Sequence, residues 1–335
     1  MRSNLEGLIG NTPMLALKLK YKGKDRTIYA KAEHYNLTGS IKDRMAYYIL
    51  KHEIEAGRLR PGMCIKEATS GNTGIAFSAI GVSLGMRVSI LMPDWMSEER
   101  KKLITSYGAD IQLVSREEGG FLGSIAICEE SANDEMCYLP HQFENNLNSL
   151  AHYHSTGPEI LEQLAFLNTN KIAFIAGVGT GGTVMGTGRY LKDHVADVKL
   201  FPLEPENSPT LSTGLKDGSH RIQGISDDFI PKIIDFSILD QIIGVHDGDA
   251  IIMAQKLSQN GIGVGISSGA NLIGALKVKE ILGDDYPVVT VFSDDSKKYL
   301  STDLMKEEPV LEHFLSKDIE IVGFDSIKSP HTTYL

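Results

Sequence analysis

Cysteine is scarce in this chain: Cys64, Cys128 and Cys137 are the three among 335 residues. An odd, scattered set with no metal-type spacing points to a reduced compartment and offers no metal site. Positive charge is also in deficit. Lys and Arg number 33 against 43 Asp and Glu, a formal charge of −10. A surface of that sign repels phosphate backbones and acidic lipids, so neither nucleic acid nor a membrane is an expected partner. No stretch approaches the roughly 18 apolar residues of a membrane span. The opening Met1-Arg2-Ser3-Asn4-Leu5-Glu6 lacks the apolar core of a secretory signal, and the expected location is the cytoplasm.

What remains is ordinary globular material, 42% hydrophobic and 23% charged. The length predicts about two domains at roughly 100–200 residues each. There is no internal repeat, low-complexity segment or long linker. Glycine is in excess, at 33 residues, and it clusters after strand-like runs. Met63 to Ala68 leads into Thr69-Ser70-Gly71-Asn72-Thr73-Gly74 and an apolar helical stretch, Ile75 to Leu84. Val88 to Met92 is followed by a helix with Ser97 as N-cap and Glu98 and Glu99 in its first turn. Lys171 to Val178 runs into Gly179-Thr180-Gly181-Gly182-Thr183 and a helix through Tyr190. Val198 to Leu203, Ile242 to Val245 and Val288 to Phe292 are further short apolar runs. Strands alternating with helices predict an α/β fold with mostly parallel sheets flanked by helices. Ligands in such sheets sit at the carboxyl ends of strands, where these glycines lie. Residues 310–335 show no clear period and are expected to be an appended tail.

The turn Gly179 to Thr183 suits an anion: glycines let backbone N–H groups close around it, and the following helix adds its positive end. Alone, it fits equally a tight connection that binds nothing. No Gly-Lys-Ser/Thr follows, so it is not a Walker A loop, and its spacing is wrong for a dinucleotide fingerprint. A second element is Asn36-Leu37-Thr38-Gly39-Ser40-Ile41-Lys42-Asp43-Arg44, preceding a helix with apolar Met45, Ala46, Ile49, Leu50 and Ile54. Lys42 is placed near that helix's start, where the dipole disfavours its protonated form. A lysine of lowered pKa is what an internal Schiff base needs. Taken singly, Lys42 also fits a surface lysine beside Asp43.

Order supplies the specificity. Ser40-x-Lys42-Asp43-Arg44, Thr69 to Gly74, Gly179 to Thr183 and Gly265-Ile266-Ser267-Ser268-Gly269-Ala270 occur in sequence. Gly10-Asn11-Thr12-Pro13 precedes them and Tyr299-Leu300-Ser301-Thr302 follows. Over roughly residues 5–305 the chain resembles the cysteine synthase (O-acetylserine sulfhydrylase) and cystathionine β-synthase family. The resemblance implies a two-domain fold-type II pyridoxal phosphate enzyme, tryptophan synthase β-like, usually a homodimer. The corresponding domains are 1–35 with 146–309, larger and cofactor-binding, and 36–145, smaller and movable. It further implies that Lys42 holds the cofactor and later moves the Cα proton. Asn72 then meets the phenolic oxygen, Gly179, Thr180, Gly181, Gly182 and Thr183 the phosphate, and Ser268 the pyridine nitrogen. Thr69, Ser70, Asn72, Thr73 and Gln142 resemble the group that grips the α-carboxylate. The implied reaction is β-replacement on a β-substituted L-amino acid through an aminoacrylate.

Two segments depart from the family. Cysteine synthases read Gly-Ile-Gly-Ala-Gly-Phe-Ile-Pro where this chain reads Gly224-Ile225-Ser226-Asp227-Asp228-Phe229-Ile230-Pro231. Cystathionine β-synthases carry an acid at the Asp228 position, but Asp227 has no such counterpart. It is a solvated loop acid, a general base, or an anchor for the ammonium of an amino-acid second substrate. Hydrosulfide needs no general base and thiols need little help, whereas water does need one. Asp227 therefore predicts L-cysteine as donor, hydrogen sulfide as leaving group, and water or a second amino acid as nucleophile. The competing expectation is cysteine synthesis from O-acetylserine and sulfide. A related dehydratase and a catalytically idle, partner-binding paralogue are further alternatives. In the second departure, Ser293-Asp294-Asp295-Ser296-Lys297-Lys298, close to the pyridine ring by the resemblance, Asp294 or Asp295 either alters the cofactor's electronics or pairs with Lys297 and Lys298, and the pairing is expected.

Overall fold

The computed structural model describes residues 4–69, 71–215, 217–225 and 229–328. Eleven strands are described: β1 (Met14–Tyr21), β2 (Lys24–Ala32), β3 (Cys64–Ala68), β4 (Arg87–Pro93), β5 (Asp110–Val114), β6 (Cys137–Tyr138), β7 (Lys171–Gly177), β8 (Asp197–Pro205), β9 (Ile243–Val245), β10 (Val288–Phe292) and β11 (Ile319–Ile327). They form a seven-stranded sheet in the order β11-β1-β2-β10-β7-β8-β9 and a four-stranded sheet in the order β5-β4-β3-β6. All pairings are parallel except those of β1 with β2 and with β11.

The first seven helices are α1 (Lys42–Glu55), α2 (Asn72–Ser83), α3 (Glu98–Ser106), α4 (Gly120–Glu129), α5 (Asn146–His154), α6 (Thr156–Leu164) and α7 (Gly182–His194). Central strands read as unbroken apolar runs because both sheet faces are covered. Every residue of β10 is buried. The helix Ile266–Leu282 packs Leu272, Ile273 and Leu276 against one face of the larger sheet, beside Ile28, Ile175 and Val288. On the opposite face α6 and α7 bring Ile160, Val184, Met185 and Leu191 against Phe174, Leu200 and Val289. In the smaller unit, Met45, Ile49 and Leu50 of α1 and Ile75, Phe77 and Ile80 of α2 meet Ile65, Val88 and Ile90. Among the described residues, no helix is long and apolar enough to cross a membrane.

Three local features differ from expectation. Residues 319–327 pair with β1 as an edge strand, so that much of the C-terminal segment belongs to the larger sheet. Ser97 does precede α3, but its hydroxyl makes no capping bond and donates to the Lys298 carbonyl at 3.3 Å. The third is a buried ionic cluster. Arg44, two residues into α1 from Lys42, spans Glu33 (Nε to Oε2, 2.6 Å) and Glu159 of α6 (Nη1 to Oε1, 2.6 Å). Lys31 of β2 closes on Glu159 at 2.5 Å. All four side chains are sealed from water. Thr12 donates to Glu33 at 2.7 Å and Asn11 N–H to Glu159 at 3.0 Å, which gives the Gly10-Asn11-Thr12-Pro13 motif its structural role.

Removing one partner of such a cluster leaves unpaired buried charge, typically at a cost of about 3–5 kcal/mol. Arg44→Leu is therefore expected to destabilise the fold by about that amount in denaturant titration. A loss under about 1 kcal/mol would show that the cluster carries no such weight.

Candidate active site

A cleft enclosing about 770 Å³, part of it open to solvent, lies at the carboxyl ends of the parallel strands. Its walls include Lys42, Thr69, Gly71, Asn72, Thr73, Gln142, Gly179, Thr180 and Thr183. These come from segments up to about 140 residues apart, so the fold gathers most of the residues singled out by motif. Gly181 and Gly182 form the turn and the first residue of α7 rather than the wall. Ser268 is fully buried, one position beyond the wall residue Ser267, and its Oγ accepts from Ser293 N–H at 3.0 Å. Ser70 and Asp227 lie outside the described residues. The chain leading to Asp227 is at the cleft, since Gln223, Gly224 and Ile225 line it.

Helix starts dominate the electrostatics. α1 begins at Lys42, α2 at Asn72, α7 at Gly182 and a further helix at Ile266, each with residues in or beside the cleft wall. Backbone N–H groups at such ends lack intrahelical partners and favour anions. No N-cap residue of these four starts supplies a side-chain cap, although Ser40 Oγ accepts from Lys42 N–H and Thr180 Oγ1 from Gly182 N–H, each at 3.3 Å. At the α7 start, Gly181 adopts φ +85°, a left-handed conformation that favours glycine. A Cβ on Gly179 would overlap the Gly224 carbonyl, and one on Gly182 would overlap the Asn148 amide. Asn148 also donates to Thr180 Oγ1 at 2.9 Å, fixing the turn from α5. His152 sits beneath at 3.3 Å from Thr183 Oγ1, and burial pushes its imidazole down to about 3, so it is neutral.

The Thr69–Thr73 loop is braced from below. Thr73 donates to Gln142 Oε1 at 2.7 Å, and Gln142 Nε2 donates to the Ala68 carbonyl at 3.0 Å. Beneath both lies Glu67, whose carboxyl accepts from Ala68 N–H at 3.1 Å and Gln142 N–H at 3.3 Å. Burial pushes Glu67 up to about 8 despite these hydrogen bonds.

Several wall residues carry no motif signal. Arg100 of α3, nearly sealed from water, donates to Gln223 across the cleft and lies 4.7 Å over the Tyr299 ring. Phe121 and Phe143 add an apolar side. Gln223 directly precedes the departing Gly224-Ile225 segment, which is the one sequence clue to it. The expected pairing of Asp294 and Asp295 with Lys297 and Lys298 is corrected in part: both acids attract the buried Lys298 charge, but their hydrogen bonds go elsewhere. Asp294, fully buried, accepts from Asn72 Nδ2 at 2.7 Å and from the Tyr299 hydroxyl at 2.6 Å. Lys298 donates instead to the Gly39 carbonyl at 2.8 Å, and Asp295 accepts from the Lys297 backbone N–H at 3.0 Å. Burial of Asp294 next to α2 makes the nearer donors, not the exposed Lys297, its partners.

A lysine at a helix start, a glycine-lined anion turn and buried polar groups in a cleft between two parallel-sheet units define a cofactor-dependent α/β enzyme site. The chain belongs to the pyridoxal-phosphate dependent enzyme family, whose sequence profile matches residues 5–294. Within that family it is similar to cysteine synthases. It is 40% identical to cysteine synthase B of Campylobacter jejuni over 89% of this chain and 96% of that protein. A crystal structure of a hydrogen sulfide-producing enzyme from Fusobacterium nucleatum is 59% identical, with TM-score 0.93 over 96% of this chain and 98% of that one. A lysine-dimethylated mutant of such an enzyme, in complex with an α-aminoacrylate intermediate, is 60% identical, with TM-score 0.92 over 96% and 97%. The chain is thus a pyridoxal phosphate-dependent β-replacement enzyme of the cysteine synthase kind. Its own residues fit the cofactor: Lys42 and Asn72 line the same cleft wall as Gly179, Thr180 and Thr183, which lie at the start of α7, where the N-cap residue is a glycine.

Glu67 yields a pH test. The folded chain keeps its proton up to about 8, whereas an unfolded glutamate loses it near about 4.3. The stabilisation is full below about pH 4.3 and is lost as pH rises through about 8. Glu67→Gln removes this slope and keeps an acceptor for one of the two N–H groups, a fixed loss that does not vary with pH. Its melting temperature should therefore gain on wild type by about 5–10 °C between about pH 5 and about pH 9. A gap that stays constant over that range would contradict the raised proton affinity.

Proposed function

We propose that the protein cleaves L-cysteine at Cβ and releases hydrogen sulfide. Water then adds at that carbon to give L-serine, or a second amino acid adds in its place. The carrying observation is the identity of 59–60% to hydrogen sulfide-producing enzymes, against 40% to a cysteine synthase. Asp227 supports the same reading.

Each residue has a role in this proposal. Lys42 holds the cofactor and, once displaced by the substrate amine, takes the Cα proton. Bound pyridoxal phosphate supplies a sink for the electron pair left at Cα, which lets the β-substituent leave. Gly179, Thr180, Gly181, Gly182 and Thr183 hold the phosphate with the positive end of α7. Ser268, whose oxygen already accepts an N–H, keeps its O–H to donate to the pyridine nitrogen without protonating it. Asn72 donates to the phenolic oxygen. Thr69, Ser70, Asn72, Thr73 and Gln142 orient the α-carboxylate, and its binding draws the smaller domain, residues 36–145, over the cleft. Closure excludes bulk water from the reacting carbon.

Asp227 acts as base. Hydrosulfide is already ionised enough to attack or leave unaided, but water, with a pKa of about 15.7, needs a positioned acceptor for its proton. The same charge repels hydrosulfide and so disfavours the return to cysteine. The enzyme is taken to work as a cytoplasmic homodimer. Cysteine synthesis from O-acetylserine and sulfide is the second reading, favoured by the Campylobacter relative.

Incubation of the cofactor-loaded protein with L-cysteine in heavy-oxygen water separates these. Sulfide with oxygen-labelled serine supports water as nucleophile, and sulfide with lanthionine supports a second cysteine. No sulfide, with brisk cysteine formation from O-acetylserine, overturns the proposal. Asp227→Ala is expected to slow serine formation about 100-fold while first-turnover sulfide release changes less than about twofold. Equal loss of both steps would remove Asp227 from its role.

A further inference from the structure

The turn that follows β10 ties together three elements of the cleft. Ser293 O accepts from Ile41 N–H at 2.9 Å, and Ser40 and Asp294 form an antiparallel bridge, so the turn pairs with the backbone just before Lys42. Ser293 N–H donates to Ser268 Oγ at 3.0 Å. Asp294 O accepts from Gly265 N–H at 3.1 Å, next to the start of the helix that carries Ser268. The Asp294 carboxylate reaches the third element, Asn72 at the start of α2, through the 2.7 Å bond from Nδ2. Tyr299 donates to the same Oδ2 at 2.6 Å and is covered by the Arg100 guanidinium.

Chemistry makes the Asn72 contact directional. An amide side chain presents an acceptor or two donors depending on which way it is turned, and a carboxylate accepts only. Asp294 therefore fixes the turn of the Asn72 amide and consumes one of its two N–H bonds. The other remains as the donor available to the cleft.

We propose that Asp294 is a positioning residue for the reaction: through Asn72 it ensures that the cofactor's phenolic oxygen meets an N–H rather than a carbonyl. This rests on the proposal above that Asn72 contacts the cofactor. A donor to that oxygen favours its anionic form, and an acceptor disfavours it. An asparagine at 294 both donates and accepts, so it no longer dictates which end of Asn72 faces the cleft.

The test uses the cofactor-loaded protein and variants Asp294→Asn, Tyr299→Phe and Asn72→Ala. The readouts are the pH dependence of the visible cofactor band, the dissociation constant of pyridoxal phosphate, and kcat and KM for L-cysteine-dependent sulfide release. Asp294→Asn should move the band's pH transition upward by about one unit and weaken cofactor binding about tenfold. It should lower kcat about tenfold with KM within about twofold of wild type. Tyr299→Phe removes one donor to Asp294 and leaves the Asn72 bond, so its band shift should be smaller and in the same direction. It serves alone if Asp294→Asn does not fold. A wild-type band and cofactor affinity in Asp294→Asn, with both altered in Asn72→Ala, would overturn the role of Asp294 alone. Should Asp294→Asn fail to fold, a wild-type band in Tyr299→Phe does the same. No change in Asn72→Ala would overturn the placement of Asn72 against the cofactor, and the inference with it.

Discussion

Two cations and two carboxylates without access to water fix the start of α1. Arg44 makes paired contacts to Glu33 and Glu159, and Lys31 completes the set, so formal charge within the cluster balances. Taking these groups out of water is expensive, and only near-complete pairing offsets it. That requirement is what makes the cluster specific, because α1, β2, α6 and the 10–13 turn must all be in place together. Lys42 is two residues from Arg44, so its position follows from this lock. The neighbouring Asp43 is likewise buried and accepts from Thr38 N–H at 2.6 Å, holding the Thr38–Ser40 approach to the helix.

The cleft can then be understood as a place where helix starts are left open. α1, α2, α7 and the helix from Ile266 bring their positive ends to one region, with no side-chain cap from the N-cap residue of any of them. This suits a ligand with a phosphate at one end and a carboxylate at the other, without spending a cationic side chain on either. It also leaves the chemistry to few side chains. In the function proposed above, selectivity among β-replacement reactions depends on groups further out, where the chain departs from the cysteine synthases at Asp227 and in the turn at Asp294.

Legibility followed physical constraint. Strands β3, β4, β7, β8, β9 and β10 stood out as apolar runs because helices cover both faces. β1 and β2 did not, since Lys18, Lys20 and Lys24 reach solvent and Lys31 is buried only by pairing with Glu159. β11 was missed because an edge strand leaves Val322 and Phe324 exposed among charges, blurring any period. Lys42, Asn72 and the 179–183 turn stood out because their motifs occur in the order of a known family; singly, the lysine and the turn fitted a surface residue and an empty connection as well. Arg100, Gln223, Phe121 and Phe143 were not, because nothing local distinguishes a side chain facing a cleft from one facing water. The partners of Asp294 were misjudged for a related reason: sequence proximity favoured Lys297 and Lys298, while the sheet brought Asn72 closer.

In the proposed function the whole arrangement serves one amine, that of Lys42. Borohydride reduction of the cofactor-loaded protein, followed by proteolysis and mass spectrometry, locates the lysine that carries pyridoxal phosphate. The expected label is on the peptide containing Lys42, lost by pre-treatment with L-cysteine that displaces the amine. A label on any other lysine, or one on Lys42 that L-cysteine leaves untouched, would contradict the site described above.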